Sequence, residues 1–433
     1  MVGIDLPMRS LPVRRRIGLK TWREIWLKIH LWLGLALGLF LSTIGVTGSA
    51  LVFWTEIDEW LNPELRIIAT PPQSAVSWRP LEEIVNAAQK AIPADSNLGF
   101  SYWPQTEREA FLFYYRVKNP RSKQSDTMHV FVDPYTADVT GRRLWYSESD
   151  VFNASFIGFL FKLHYQLLAP GLGDIIVGII AILAFVSSVT GIILWWPRNG
   201  KWHNAFTIKW PAKFERLNYD IHRLAGIFLF PVAVAVLLSG VYFNLPIQFR
   251  AAVEIFSQLT KVEKFGSTPP THAHAPITLD EAFASVVRQF PRGRIYSVSL
   301  PTPKNGSYVF SQLFPIGWGL EGRRTIFVNQ YDGDVLHVND PLTGDGDGFI
   351  AWQWALHSGY VLGWPGRIAV FLFGLSWPLI FFTGVMRWLQ KRRARRIVEP
   401  RRIRSADHSS TRRVFTSLPD VSSYTRVSKE RQS

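Results

Sequence analysis

The 433-residue sequence has no cysteine. That absence removes disulfides, thiolate-ligated zinc, iron–sulfur clusters and thioether-linked haem in one step. Equally missing are a P-loop, a G-x-G-x-x-G turn, a nucleophile elbow and an H-E-x-x-H helix. Acidic residues are few, 33 against 48 Lys and Arg, and almost none fall inside the long apolar runs. The resulting net charge of +15 does not point to nucleic acid, because the basic clusters sit at the ends of those runs.

What is present is concentrated hydrophobicity. Apolar residues make up 47% of the chain, yet the mean hydropathy is only +0.06. Four runs, 29–54, 174–196, 221–245 and 368–389, are long enough for the roughly 30 Å of a bilayer core, which takes about 20 helical residues. Pro231 and Pro378 in the last two predict kinks rather than breaks. Many of the 18 tryptophans flank the runs (Trp22, Trp26, Trp54, Trp195, Trp196, Trp388), as interfacial belts do.

Basic residues orient the chain. Arg14, Arg15, Arg16, Lys20, Arg23 and Lys28 precede the first run; Arg198, Lys201, Lys209, Lys213 and Arg216 lie between the second and third; KRRARR (391–396) follows the fourth. The positive-inside rule puts all three on the cytoplasmic side. This predicts a basic cytoplasmic N-terminal segment (1–28), a cytoplasmic connection (197–220) and a basic, disordered cytoplasmic tail (390–433). Two long outer segments, 55–155 and 246–348, are each followed by a short histidine-bearing stretch, 156–173 and 349–367, just before runs two and four. The first run is too long for a signal-peptide core and reads as an uncleaved anchor.

The two halves of the chain match in order. IHxxxG strings at His30 and His222, and Thr47–Gly48 and Ser239–Gly240, are 192 residues apart. FVDPYTADV (131–139) answers FVNQYDGDV (327–335) at 196; Leu163–His164 answers Leu356–His357, and Thr190–Gly191 answers Thr383–Gly384, at 193. Five ordered matches at nearly one spacing predict a duplicated unit, with two parallel repeats in the membrane. Each outer segment reads as a helix (81–91, 279–290) on a small antiparallel sheet, with hairpin turns at Asp-Pro-Tyr-Thr and Asp-Gly. The expected fold class is therefore a polytopic α-helical membrane protein: four transmembrane helices in two repeats, each repeat with an outer α+β domain.

Duplication pairs the histidines: His30 with His222 at the inner ends of runs one and three, His164 with His357 on the outer side. A titratable ring in hydrocarbon is expensive, and ligation of haem b between two neutral imidazoles offsets the cost. Gly34 and Gly226, four residues after their histidines, share the histidine face and leave room for a flat macrocycle. Gly48 and Gly240 return to that face 18 residues, about 27 Å, beyond His30 and His222 and could admit a second macrocycle at His164 and His357. Symmetry favours inner–inner and outer–outer pairing, but the sequence leaves crossed pairing open. Interfacial histidines with small residues serving helix packing, or an ion or proton path, are the competing readings; the scarcity of Asp and Glu weakens the path. His272 and His274 could bind a metal transiently, although a solvated loop is the plainer reading; His129, His203, His337 and His408 read as surface residues.

KIHLWLGLALGLFLSTIGVTGSALVFW, KLHYQL, VTGIILWWPR, DIHRLAGIFLF and FVDPYTADV together resemble the PepSY-associated transmembrane helix family over about residues 20–395. The second copy has RWLQ where the first has WWPR, a departure that touches no histidine. The resemblance implies a bacterial inner-membrane, iron-regulated protein with PepSY domains in the periplasm and haem on His30, His164, His222 and His357. Some members are ferric-siderophore reductases. The expected activity is outward one-electron transfer through two haems b to a ferric siderophore, from a quinol or a cytoplasmic reductase, with lipid as the other partner and no nucleic acid. No catalytic acid, base or nucleophile is called for. The alternatives are a PepSY protein regulating periplasmic peptidases, with the membrane part only an anchor, and an iron or siderophore permease.

Overall fold

A computed structural model describes residues 19–415 apart from 69–76, 121, 123–124, 199, 262–264, 270–274 and 318–319. The chain begins with α1 (Leu19–Leu51), followed by short helices α2 (Trp54–Leu61) and α3 (Pro63–Arg66), then α4 (Leu81–Lys90). Strands β1 (Asn97–Tyr102), β2 (Phe111–Lys118), β3 (Ser125–Val132) and β4 (Val139–Tyr146) lead to α5 (Phe156–Gln166) and α6 (Gly173–Trp195). After α7 (Trp202–Phe206) come α8 (Phe214–Phe228), α9 (Phe230–Asn244), α10 (Pro246–Glu254) and α11 (Leu279–Gln289). Strands β5 (Arg294–Ser299), β6 (Ser307–Gly317), β7 (Leu320–Asn329) and β8 (Val335–Asn339) precede α12 (Gly346–Ser358) and α13 (Gly363–Phe415).

Three stretches among the described residues are long and apolar enough to cross a membrane: Trp22–Leu51, Gly173–Trp195 and Tyr360–Ala394. The third run expected from sequence is two helices, α8 and α9, bent by 60°, and counts as a fourth crossing only if the pair is one span. Pro231 stands in the first turn of α9, where its missing N–H costs nothing, so the chain starts a new helix instead of kinking an old one. Pro378, by contrast, lies inside the unbroken α13. That helix runs on to Phe415, into the segment for which the sequence predicts a disordered tail, in line with the good helix propensity of Arg and Lys.

The middle of the helical part is an apolar core of Leu41, Ile180, Ala184, Ala233, Leu237 and Phe373, drawn from α1, α6, α9 and α13. α1 and α13 meet at small residues. A Cβ on Gly45 would lie 2.5 Å from the Gly374 carbonyl oxygen, and Ser49 Oγ donates to the Phe371 carbonyl at 2.7 Å.

The sequence pattern predicts two separate outer domains, but their strands form one eight-stranded antiparallel sheet in the order β4-β3-β2-β1-β5-β6-β7-β8. The joint is short, Ser101 opposite Val298 and Tyr102 opposite Ser297. α4 and α11 cover one face, burying Ile84, Ala88, Ala282 and Val286 against Phe111, Phe113, Phe310 and Ile326. Their N-termini cap one another: Asp280 accepts from the Leu81 and Glu82 amides at 2.9 and 3.1 Å, and Glu82 accepts from the Leu279 amide at 3.2 Å. Each half thus supplies the anion that the other half's helix start requires.

The outer helices have explicit starts and stops. Ser155 caps α5 by accepting from the Gly158 amide, and Asp345 caps α12 by accepting from the Gly348 amide. α5 ends on Leu167 at φ +50° and α12 on Gly359 at φ +79°, left-handed stops that turn the chain back into the bundle. His164 and His357 lie in the last turns of these helices.

Candidate functional site

The helices bring the four histidines together two by two. The rings of His30 (α1) and His222 (α8) are 6.2 Å apart between centroids, and those of His164 (α5) and His357 (α12) are also 6.2 Å apart. All four are half-buried.

Each ring is held the same way. His30 Nδ1 lies 3.0 Å from the Ser187 carbonyl oxygen and 3.1 Å from Thr190 Oγ1. His222 Nδ1 lies 3.1 Å from the Ile380 carbonyl and 2.9 Å from Thr383 Oγ1. His164 Nδ1 lies 2.9 Å from the Ile44 carbonyl and 3.3 Å from Thr47 Oγ1. His357 Nδ1 lies 3.2 Å from the Val236 carbonyl and 2.9 Å from Ser239 Oγ. In every case the carbonyl stands three residues before the hydroxyl, and the hydroxyl donates its own proton to a carbonyl of its helix.

This arrangement sets the tautomer. A carbonyl can only accept, and a hydroxyl whose hydrogen is committed offers a lone pair, so Nδ1 must carry the proton. Nε2 is then the basic nitrogen. It has no hydrogen-bond partner among the described residues, and it is not sealed inside the protein, so it opens onto free space. A neutral imidazole oriented by a carbonyl at one nitrogen and open at the other is how proteins present histidine to a metal.

A glycine follows each of these hydroxyls and seats the ring. A Cβ on Gly48 would lie 2.7 Å from His164 Cε1; on Gly191, 3.2 Å from His30; on Gly384, 3.4 Å from His222; on Gly240, 3.7 Å from His357. Gly48 therefore makes room for the His164 imidazole, whereas a Cβ on Gly240 would meet His357 only in ordinary van der Waals contact. Gly34 and Gly226 differ: nothing lies within 4 Å of a Cβ on either. Both border a cavity of about 1090 Å³ that also contains His30, His222, Gly191 and Gly384 in its lining. Most of its wall is apolar, with Arg223 and Arg387 among the charged residues.

The residues fit haem. Two metal–nitrogen bonds of about 2 Å plus two ring radii of about 1.1 Å give a centroid separation close to the 6.2 Å found in both pairs. Among the described residues no three or more His, Asp or Glu cluster as a cage for a bare ion. A pair of imidazoles suits a macrocycle that brings its own equatorial nitrogens. Phe373 and Trp377, 5.6 Å apart in α13, line the cavity beside the inner pair.

The remaining histidines differ from expectation in part. His203 is exposed; His337 stacks on Phe265 and hydrogen-bonds Asn339 Oδ1 at 2.8 Å. His129, expected at the surface, is fully buried on β3 between Tyr114 (4.0 Å) and Trp145 (5.3 Å), and neither ring nitrogen is hydrogen-bonded to any described residue. Its strand lies inside the sheet between β2 and β4, and alternation turns it to the face opposite α4 and α11, the side covered by Trp54 of α2 and Phe161 of α5. Burial, then the cations Arg143 and Arg66, hold its pKa well below the usual histidine value. His272, His274 and the side chain of His408 lie outside the described residues.

Two arginines at the junction of sheet and helices carry no signal in the sequence pattern. Arg323 of β7 lies over Trp354 at 4.6 Å, donates to Ser311 Oγ and forms no ion pair among the described residues. Arg367 of α13 is buried, pairs with Glu56 at 2.6 Å and stacks on Phe53 and Trp364.

The PepSY-associated TM region family matches residues 27–391, nearly the whole chain. No curated protein matches the sequence.

Proposed function

The chain belongs to the PepSY-associated TM region family, and from that premise we propose that it is a haem-b electron-transfer protein of the bacterial inner membrane that reduces ferric siderophores. The observation that carries the proposal is the set of four imidazoles in two facing pairs, each with Nδ1 engaged and Nε2 open. His30 and His222 hold one haem, His164 and His357 the other. When bound, haem supplies reversible one-electron chemistry. The Thr or Ser hydroxyls and the carbonyls three residues before them fix each ring's tautomer and orientation. Gly34 and Gly226 keep the inner site open, its apolar walls exclude water, and Arg387 offers positive charge to the macrocycle's carboxylates.

The basic flanks argue for both termini and the 197–220 connection in the cytoplasm, with the eight-stranded sheet in the periplasm. In this reading the bent α8–α9 pair is one span, giving four, and the chain is two parallel repeats whose sheets fuse at β1–β5. The acceptor is Fe(III) in its chelate, reduced to Fe(II), which the chelate holds less tightly. With no nucleotide motif of its own, the chain takes electrons from a quinol or a cytoplasmic flavoprotein. A two-electron quinol supports two ferric reductions and releases two protons. Mixing dithionite-reduced protein anaerobically with a ferric hydroxamate, in the presence of a ferrous trap, tests the acceptor. We expect reoxidation of the chromophore with one Fe(II) per electron lost; a chromophore that stays reduced would reject the siderophore as acceptor without touching the haem assignment.

A further inference from the structure

Beside the large cavity, a smaller concavity of about 270 Å³ opens at the basic end of the bundle between α1, the end of α6 and α8. Its charged lining is Arg23, Arg198, Lys201 and Arg223, with no carboxylate, and Trp195 and Trp196 form its aromatic wall. Two of the guanidinium groups are fixed by backbone. Arg23 Nη2 donates to the Leu194 carbonyl at 2.5 Å, and Arg223 Nη2 donates to the Thr207 carbonyl at 2.8 Å. Arg223 also pairs with Asp220 at 3.0 Å, but that carboxylate is shared with Arg216 and the Lys209 amide. The Arg223 Nε is buried with no hydrogen-bond partner among the described residues. Arg198 and Lys201 are exposed on the connection from α6 to α7.

We propose that this concavity binds the phosphate of an anionic headgroup. Guanidinium groups present paired donors that match phosphate oxygens, and here they converge from two helices while lysine adds a point charge. Topology alone accounts for exposed cations at this end of a membrane helix, but not for two arginines anchored to carbonyls around one hollow. The volume falls below the usual 300–1,000 Å³ of pockets for drug-sized ligands, so it suits a headgroup and not a nucleotide. The exposed aromatic fringe of Trp196, Trp202 and Phe206 is the surface that acyl chains would lie against. The same chemistry would accept a phospholipid headgroup or free phosphate, and the experiment separates them.

Full-length protein, delipidated in detergent, is titrated with phosphatidylglycerol or phosphatidylcholine and the bound lipids are counted by native mass spectrometry. Phosphatidylglycerol is expected to bind more tightly than phosphatidylcholine. The double variant R198Q/K201Q should weaken it by about tenfold or more, since each interfacial cation contributes about a factor of five. Both residues line only the smaller concavity, so haem content should be unchanged. The charge-matched control K209Q/K213Q should bind like the native protein. Equal weakening in both double variants, or equal affinity for the two lipids together with no variant-sensitive binding of inorganic phosphate, would overturn the proposal. Variant-sensitive binding of inorganic phosphate without lipid preference would instead assign the site to soluble phosphate.

Discussion

At the scale of single residues, the same three atoms recur four times: a backbone carbonyl, a hydroxyl three residues later, and the α-carbon of the next glycine. Removing the hydroxyl leaves the carbonyl to hold the ring alone. T383V at the inner site or S239A at the outer should lower haem affinity at that site by about 10–100-fold, the usual effect of losing an outer partner of a metal-bound histidine, as measured by haem titration of apo-protein. G48A acts by crowding: its Cβ would lie 2.7 Å from His164 Cε1, so the ring must move and the outer haem should be lost while the inner is kept. His129 gives a pH effect. Its folded pKa is depressed well below the unfolded value of about 6.5, so the unfolded chain binds the extra proton. Stability is therefore full above about pH 6.5 and falls as pH drops below it, by up to about 1.4 kcal/mol per unit. H129F should flatten the acid limb of a thermal-melt series. The histidines and Gly34 and Gly226 were legible because duplication made them conspicuous. Thr190–Gly191 and Thr383–Gly384 stand out in the sequence only as markers of repetition, and Gly48 and Gly240 suggest space for a macrocycle, because the imidazoles these pairs contact are more than 100 residues away in sequence.

At the scale of elements, boundaries set by local chemistry were readable and those set by packing were not. α4 and α11, with their polar starts and 3.6-residue periodicity, fall within a residue of the expected spans. Thr278 with Glu281 forms a complete capping box. The exchange of carboxylates between the starts of α4 and α11 is a tertiary event with no sequence signature. D280A strips the cap from α4 while leaving the Thr278 box of α11 intact, and should cost about 1 kcal/mol of sheet-domain stability in a denaturant titration. The break between α8 and α9 is only half-legible: Pro231 predicts a kink, while the start of a new helix and its 60° turn depend on what the two halves pack against.

At the scale of the molecule, sequence repetition predicted two similar outer units but not that they would share a sheet, since edge-strand pairing of β1 with β5 is decided by where the helices deliver the two chains. The same delivery places the His30 ring opposite His222 and the His164 ring opposite His357. The central claim is that these two pairs exist to hold porphyrin iron. The most direct measurement is the reduced-minus-oxidised visible spectrum of protein purified after growth with ample haem, compared with the four single His→Ala variants. The account predicts a low-spin bis-imidazole b-type signal, one component lost in H30A and H222A and a different one lost in H164A and H357A, with all variants still membrane-inserted. A colourless native protein, or haem content unchanged in all four variants, would contradict it.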